Sequence, residues 1–402
     1  MALNAATDPF RKKAPTIKLG TGWAPRFGHA SLIFGASGHI FVLGGNMSPV
    51  EKSAAAEEEK QKSEKDTMAS EIRRRKEERA KKEAEEEAAK PAKARKKIKG
   101  KKAAAAAAAA EAGEEKPSTR YFDVWLSRDG GNLWEVACEA APWVSRSNFG
   151  AVAHEGRIWV VGGAGDAKHL NDVWCSATGE EWVEVSRKAP FAARAFFGCA
   201  SHMHHLYVVG GASSRCDLFH DVWRSKDGEG WECVTEAAEW SPRASACLVV
   251  CDGTLFMLGG YDRSGALYSE VWRSMDGRHW RMVCEGAWPV RCMASAVAHD
   301  GALYMMGGWG PEGKLGDVWK STDLGRTWTE LSNHAMGAEW SRRAHFGLLC
   351  HETGSMTLLG GLNSSGTSRS MGQALSDCWR STDLALSWEQ VESKYMTKPK
   401  FG

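Results

Sequence analysis

Tyrosine is scarce in this chain, at six residues of 402, and no stretch approaches the roughly 18 apolar residues of a membrane-spanning helix. The opening MALNAATDPFRKKAPT lacks the apolar core of a secretory leader, so no signal peptide and a cytoplasmic location are expected. The 11 cysteines include no C-x-x-C pair, and most sit in apolar runs such as SACLVVCDG. Buried free thiols in a reducing compartment fit that usage better than a disulfide framework. Neither charge dominates: 52 basic against 50 acidic residues leave +2, so the average chain is no general binder of nucleic acid.

What the chain has in plenty is glycine, 43, and tryptophan, 19. Both recur in order. Double glycines stand at Gly44-Gly45, Gly162-Gly163, Gly210-Gly211, Gly259-Gly260, Gly307-Gly308 and Gly360-Gly361, with middle intervals of 48, 49 and 48 residues. An arginine precedes each pair: Arg146, Arg194, Arg243 and Arg291 by 16 positions, Arg26 by 18 and Arg343 by 17. A D/E-V/C-W follows, ending at Trp125, Trp174, Trp223, Trp272, Trp319 and Trp379. A second tryptophan closes each copy at Trp134, Trp182, Trp231, Trp280, Trp328 and Trp388. Repetition at this period is architecture before it is chemistry.

Each copy reads as four short strands: a small-residue run after the arginine, a β-branched and aromatic run before the glycines, the D-V-W segment, and a strand begun by the closing tryptophan. The expected fold is all-β, a six-bladed β-propeller over 23–392. Its blades are expected near 23–138, 143–187, 191–236, 240–285, 288–332 and 340–392, with a lead-in of 1–22 and a tail of 393–402. In turns such as STDLGRTW the aspartate can cap its own backbone, and the tryptophan can lie as an apolar plate between blades.

Copy 1 is interrupted. Gly44 and Trp125 are 81 positions apart, where Gly162 and Trp174 need 12, so an insertion occupies 48–119. Residues 51–90 carry 12 basic and 13 acidic side chains, with i,i+4 pairs such as Glu71–Arg75 and Glu78–Lys82 in the favourable order. That pattern predicts a solvated, charge-laced helix of about 60 Å, ending near Pro91. A basic run follows, formed by Lys93, Arg95, Lys96, Lys97, Lys99, Lys101 and Lys102, and then eight alanines. The run could engage an acidic protein, nucleic acid or a nuclear import receptor. Residues 51–120 hold 21 basic and 16 acidic side chains, so the remainder of the chain is mildly acidic.

The order Arg…Gly-Gly…Asp-Val-Trp…Trp resembles the kelch repeat of galactose-oxidase-like propellers, and the turns SRDGGNLW and STDLGRTW resemble the Asp-box of sialidase-type propellers. Copy 2 departs from the box by lacking the aspartate and copy 6 by lacking the glycine. The resemblance implies peptide binding on the face that carries the loops joining strands 2–3 and 4–1. There the six repeat arginines, each three residues after an aromatic, are candidate binding groups. Trp309 and Arg369, in less repetitive loops, are further candidates.

The expected function is a non-enzymatic protein-interaction scaffold for an acidic partner, assisted by the basic arm, with no catalytic residues, metal or cofactor. The alternative is a carbohydrate-active or sugar-binding propeller, like a sialidase or a sialic-acid mutarotase, using arginines at the central mouth. A copper site like that of galactose oxidase needs tyrosine and histidine ligands, and none of the six tyrosines lies in a recognisable motif. The histidines of SHMHHLY fall in a strand 1–2 turn, where other copies also carry histidine, so they are read as structural.

Overall fold

The computed structural model describes residues 16–19, 22–47, 120–332, 340–363 and 372–397. The expected charged helix, the basic run, the polyalanine segment and Arg369 lie outside these residues. All regular structure described is β.

Repeat 3 shows the plan. Strands Gly198–His202, His205–Val209, Val222–Ser225 and Trp231–Thr235 pair antiparallel, each with the next. Repeats 4 and 5 form the same four-stranded sheet, and repeat 2 adds only the short strand Arg146–Ser147. The strands of repeats 1 and 6 share one larger sheet, because Arg26 pairs in register with both Met47 and Leu375. In repeats 1 to 5 the third strand shifts register against the fourth between the valine and the tryptophan of the D/E-V-W segment.

The apolar faces explain why the sheets stand side by side. One cluster joins Phe41, Leu43 and Val124 of repeat 1 to Trp143, Val160 and Trp182 of repeat 2. Similar clusters join repeats 2 and 3, 3 and 4, 4 and 5, and 5 and 6, and another joins Leu359 and Cys378 of repeat 6 to Trp23, Val42 and Trp134 of repeat 1. The closing tryptophans therefore pack between neighbouring sheets, edge to face with the aromatic that opens their own repeat, as in Trp143–Trp182 and Trp288–Trp328. This is a β-propeller. The second glycine of each pair has a steric reason: a Cβ on Gly163 would stand 2.4 Å from the Cβ of Phe149.

The first and last described strands meet on repeat 1. Strand Lys394–Thr397 runs parallel to Leu133–Cys138 and antiparallel to Thr16–Leu19, and the Ser393 hydroxyl donates to the Gly131 carbonyl at 2.7 Å.

Candidate functional site: the loop face and its central mouth

The repeat arginines are buried, with at most 1% of each exposed. Arg146 shows the common arrangement. Its Nη1 and Nη2 donate to the two carboxylate oxygens of Asp172 at 2.9 and 2.7 Å, Nη1 also to the Gly162 carbonyl at 2.8 Å, and Nε to the Val144 carbonyl at 3.0 Å. Trp174 Nε1 donates to the same carboxylate at 2.8 Å. The pairs Arg26–Asp123, Arg194–Asp221, Arg243–Glu270, Arg291–Asp317 and Arg343–Asp377 repeat the contact. One guanidinium thus ties the arginine turn, the first glycine and the D/E-x-W segment together, which is why the spacing between the landmarks is held.

This corrects the reading of Arg26, Arg146, Arg194, Arg243, Arg291 and Arg343 as surface binding groups. Their donors are spent inside the blades, and baring one would strand a carboxylate. Burial opposes the charge on Asp317, but the hydrogen bonds and charge of Arg291 outweigh it and hold the carboxyl below its ordinary range. Asp123 behaves alike beside Arg26. The rings that cover these arginines at close range are internal and are not those three residues before: Arg194 lies 4.1 Å from the Phe219 ring centroid, against 5.7 Å from that of Phe191, and Arg243 lies 4.1 Å from that of Tyr268. A carboxylate clamp of the sialidase kind cannot be built from these six side chains while their ion pairs stand.

Two residues after each arginine, the backbone is left-handed: Gly28, Asn148, Phe196, Ser245, Met293 and His345 have φ between 51° and 60°. The amide of each donates to the carbonyl of the one before, from Asn148 to Gly28 at 2.7 Å round to His345 to Met293 at 3.1 Å. The ring closes from Gly28 to His345 at 3.2 Å. Phe196 and His345 stand three steps apart in it, and their rings meet across the middle with centroids 6.1 Å apart. Around this pair lies a cavity of about 170 Å³ lined by His29, Asn148, Phe149, Ser245 and Met293 among others.

Both ring nitrogens of His29 are buried without a hydrogen-bond partner among the described residues. Burial, helped by the charge of Arg26 and by His345, pushes its pKa down to about 3. Burial and the charge of Lys314 bring His345 to about 4. Both imidazoles are neutral at physiological pH.

Trp309 is half-buried in a short hairpin of the 2–3 loop of repeat 5, where the Lys314 ammonium stands 4.6 Å from its ring centroid. Its ring is therefore already covered on one side by a cation from its own loop. The strand 2–3 and 4–1 loops do share a face. Arg120 reaches Asp166 at 2.8 Å and Ser147 at 3.2 Å, and the Ser145 hydroxyl donates to Asp166 at 2.7 Å.

The Asp-box turns lie among the 3–4 connections. Asp323 Oδ1 accepts from the amides of Arg326 and Thr327 at 3.0 and 2.9 Å, which lowers its pKa to about 2. The serine before this aspartate is a further repeated landmark, beyond the arginine, glycines and tryptophans. Ser321 Oγ accepts the Gly325 amide, and the equivalent serine does so in all six repeats. Its signal was its presence two residues after every D/E-V/C-W tryptophan.

His154 and His202 bond to the carbonyls of Lys226 and Met275 in the 3–4 turn of the next repeat, a structural use. No cluster of three or more potential metal ligands occurs among the described residues. No helix there is long and apolar enough to cross a membrane. The cysteines are free, and burial pushes the thiols of Cys199, Cys247 and Cys378 up to about 12.

No curated protein matches the chain. The kelch motif matches residues 145–175, a span that begins one residue before Arg146 and ends one after Trp174. Repeat 2 thus carries a kelch motif, within sheets arranged as in a β-propeller.

Proposed function

We propose that this propeller is a six-bladed, non-enzymatic interaction module that holds a protein partner on the face bearing the strand 2–3 and 4–1 loops. The observation that carries the reading is the contrast between landmarks and loops. The arginine, the glycines, the acid and both tryptophans are consumed by the scaffold in every repeat. The 2–3 loops vary more: AGDAKHLN (164–171), ASSRCDLFH (212–220), YDRSGALYS (261–269) and WGPEGKLG (309–316) share a leucine shortly before the acid and otherwise differ in charge and apolar content. Variable loops on a rigid frame are where recognition is placed. The partner is acidic in this reading, met by exposed cations of the face and by the basic run Lys93–Lys102 of the inserted arm.

The test is cross-linking of the full chain in cells, with three comparisons: substitutions in the 2–3 loops, substitutions in the 3–4 turns, and replacement of 48–119 by a short linker. Partners lost with the 2–3 loops and kept with the 3–4 turns are expected. Partners indifferent to the loop face would overturn the reading.

A further inference from the structure

We propose that the groove between repeats 2 and 3 on the loop face binds an extended acidic peptide bearing an apolar side chain. This deepens the interaction reading and rests on it. The groove, about 800 Å³, runs between the 4–1 loop of repeat 2 at Val144, the 2–3 loop of repeat 2 at 168–172 and the 4–1 loop of repeat 3 at 187–193. Leu170 and Phe191 line it, and Val144, an apolar side chain left 53% exposed, stands at one wall.

The walls are fixed before any ligand arrives. Asn171 Nδ2 donates to the carbonyls of Ala189 and Phe191 at 2.8 and 3.0 Å, the Ala189 amide donates to the Asn171 carbonyl at 2.8 Å, and the Arg194 amide to that of Leu170 at 3.0 Å. A groove already shaped avoids the ordering cost that weakens flexible sites.

Charge then selects the occupant. Of the acids that line the groove, Asp172 is taken by Arg146 and Glu184 by Arg187 at 2.9 Å. Lys168 and Lys188 are exposed and ion-pair with no described residue, so two ammonium groups face the groove uncompensated. Lys188 is also peculiar to this junction. The residue three before the opening aromatic is Ala140, Ala237 and Glu285 in repeats 2, 4 and 5. An apolar floor with cations above it matches a peptide in which acidic and apolar side chains alternate, since extended chain points successive side chains to opposite sides.

The test uses the full chain and a fluorescein-labelled short peptide of alternating leucine and glutamate, read by anisotropy. Expected are saturable binding that weakens as salt rises, no binding of the leucine–lysine counterpart, and an affinity lower by about tenfold or more in Lys168→Glu/Lys188→Glu. Val144→Asp should lose affinity too. All three positions are exposed, so an unchanged thermal transition will certify folding of the variants. Absence of saturable binding to the unaltered chain overturns the inference. So does binding that both variants leave intact, because the peptide then sits elsewhere. Neither result touches the interaction reading, which the loop-face cross-linking decides separately.

Discussion

The Gly28 amide donates to the His345 carbonyl, joining the first repeat to the sixth across most of the chain. His29 and His345 flank that junction, and both are held neutral, with pKa values of about 3 and about 4. An unfolded histidine titrates near 6.5. Below that pH the unfolded chain takes up protons that the folded chain refuses, so stability falls as pH drops from about 6.5 towards 4. Repeats 2, 3 and 6 place Phe149, Phe197 and Phe346 where repeat 1 has His29. His29→Phe should therefore flatten this part of the curve and raise the thermal midpoint at pH 5 more than at pH 7.5. Equal shifts at both values would show that His29 is not the linked group.

Removing one partner of a buried ion pair costs more than removing both, because a lone buried charge remains. Arg291→Met should destabilise by about 3–5 kcal/mol by leaving Asp317 without its partner. Arg291→Met with Asp317→Leu should recover part of that loss, although Trp319 Nε1 then lacks its acceptor. Denaturant titration of the two singles and the double gives the coupling directly. The depressed Asp317 pKa also sets a sign: the pair's contribution is full above the unfolded value near 4 and is lost as pH falls through the lower folded value. If Arg291→Met were fully stable, with only partner binding lost, the arginine would return to the recognition surface.

The fold was legible because its repeat is carried by a few side chains whose partners are also repeated. Counting alone found the arginine, the glycines and both tryptophans. Their connection was harder to read. The arginine's acceptor lies 26 residues on in repeats 2 and 5 and 27 in repeats 3 and 4, a spacing that the pairing of Arg146 with Asp172 and Arg194 with Asp221 explains. Arginine beside tryptophan is common at interfaces, which by itself would turn these arginines outward. An acid 26 or 27 residues after the arginine in four successive repeats, Asp172, Asp221, Glu270 and Asp317, points inward instead. The groove at Lys188 was not legible, since its walls come from three loops brought together only by the sheet geometry.

Asn46 and Arg120 are register partners on neighbouring strands, although the whole insertion separates them in sequence. The pairs Gly45–Tyr121 and Asn46–Arg120 close the base of the hairpin as in an uninterrupted blade. Replacing 48–119 by a short glycine–serine turn should thus shift the thermal transition by less than about 5 °C, the effect of roughly 1–2 kcal/mol in a domain this large. A greater loss would mean that the insertion supports the sheet.

The last prediction compares two equivalent turn positions. Gly228 and Ala385 each stand three residues before the closing tryptophan, and both are left-handed, with φ of 74° and 71°. At Gly228 a Cβ would come within 2.2 Å of the Trp159 ring of the preceding repeat, and its carbonyl accepts Trp231 Nε1 at 2.8 Å. Ala385 carries its methyl group fully buried, and Trp388 Nε1 has no acceptor among the described residues, unlike the closing tryptophan of every other repeat. A left-handed alanine costs about 1–2 kcal/mol that glycine does not. Against this, the buried methyl contributes roughly 0.8 kcal/mol by area. Ala385→Gly should therefore be neutral to stabilising by about 1 kcal/mol, whereas Gly228→Ala should destabilise by about 2 kcal/mol or more, since both strain and overlap act together. Urea titrations of the two variants decide it. Equal destabilisation by both substitutions would show that repeat 6 has adapted fully to its alanine and stores no strain there.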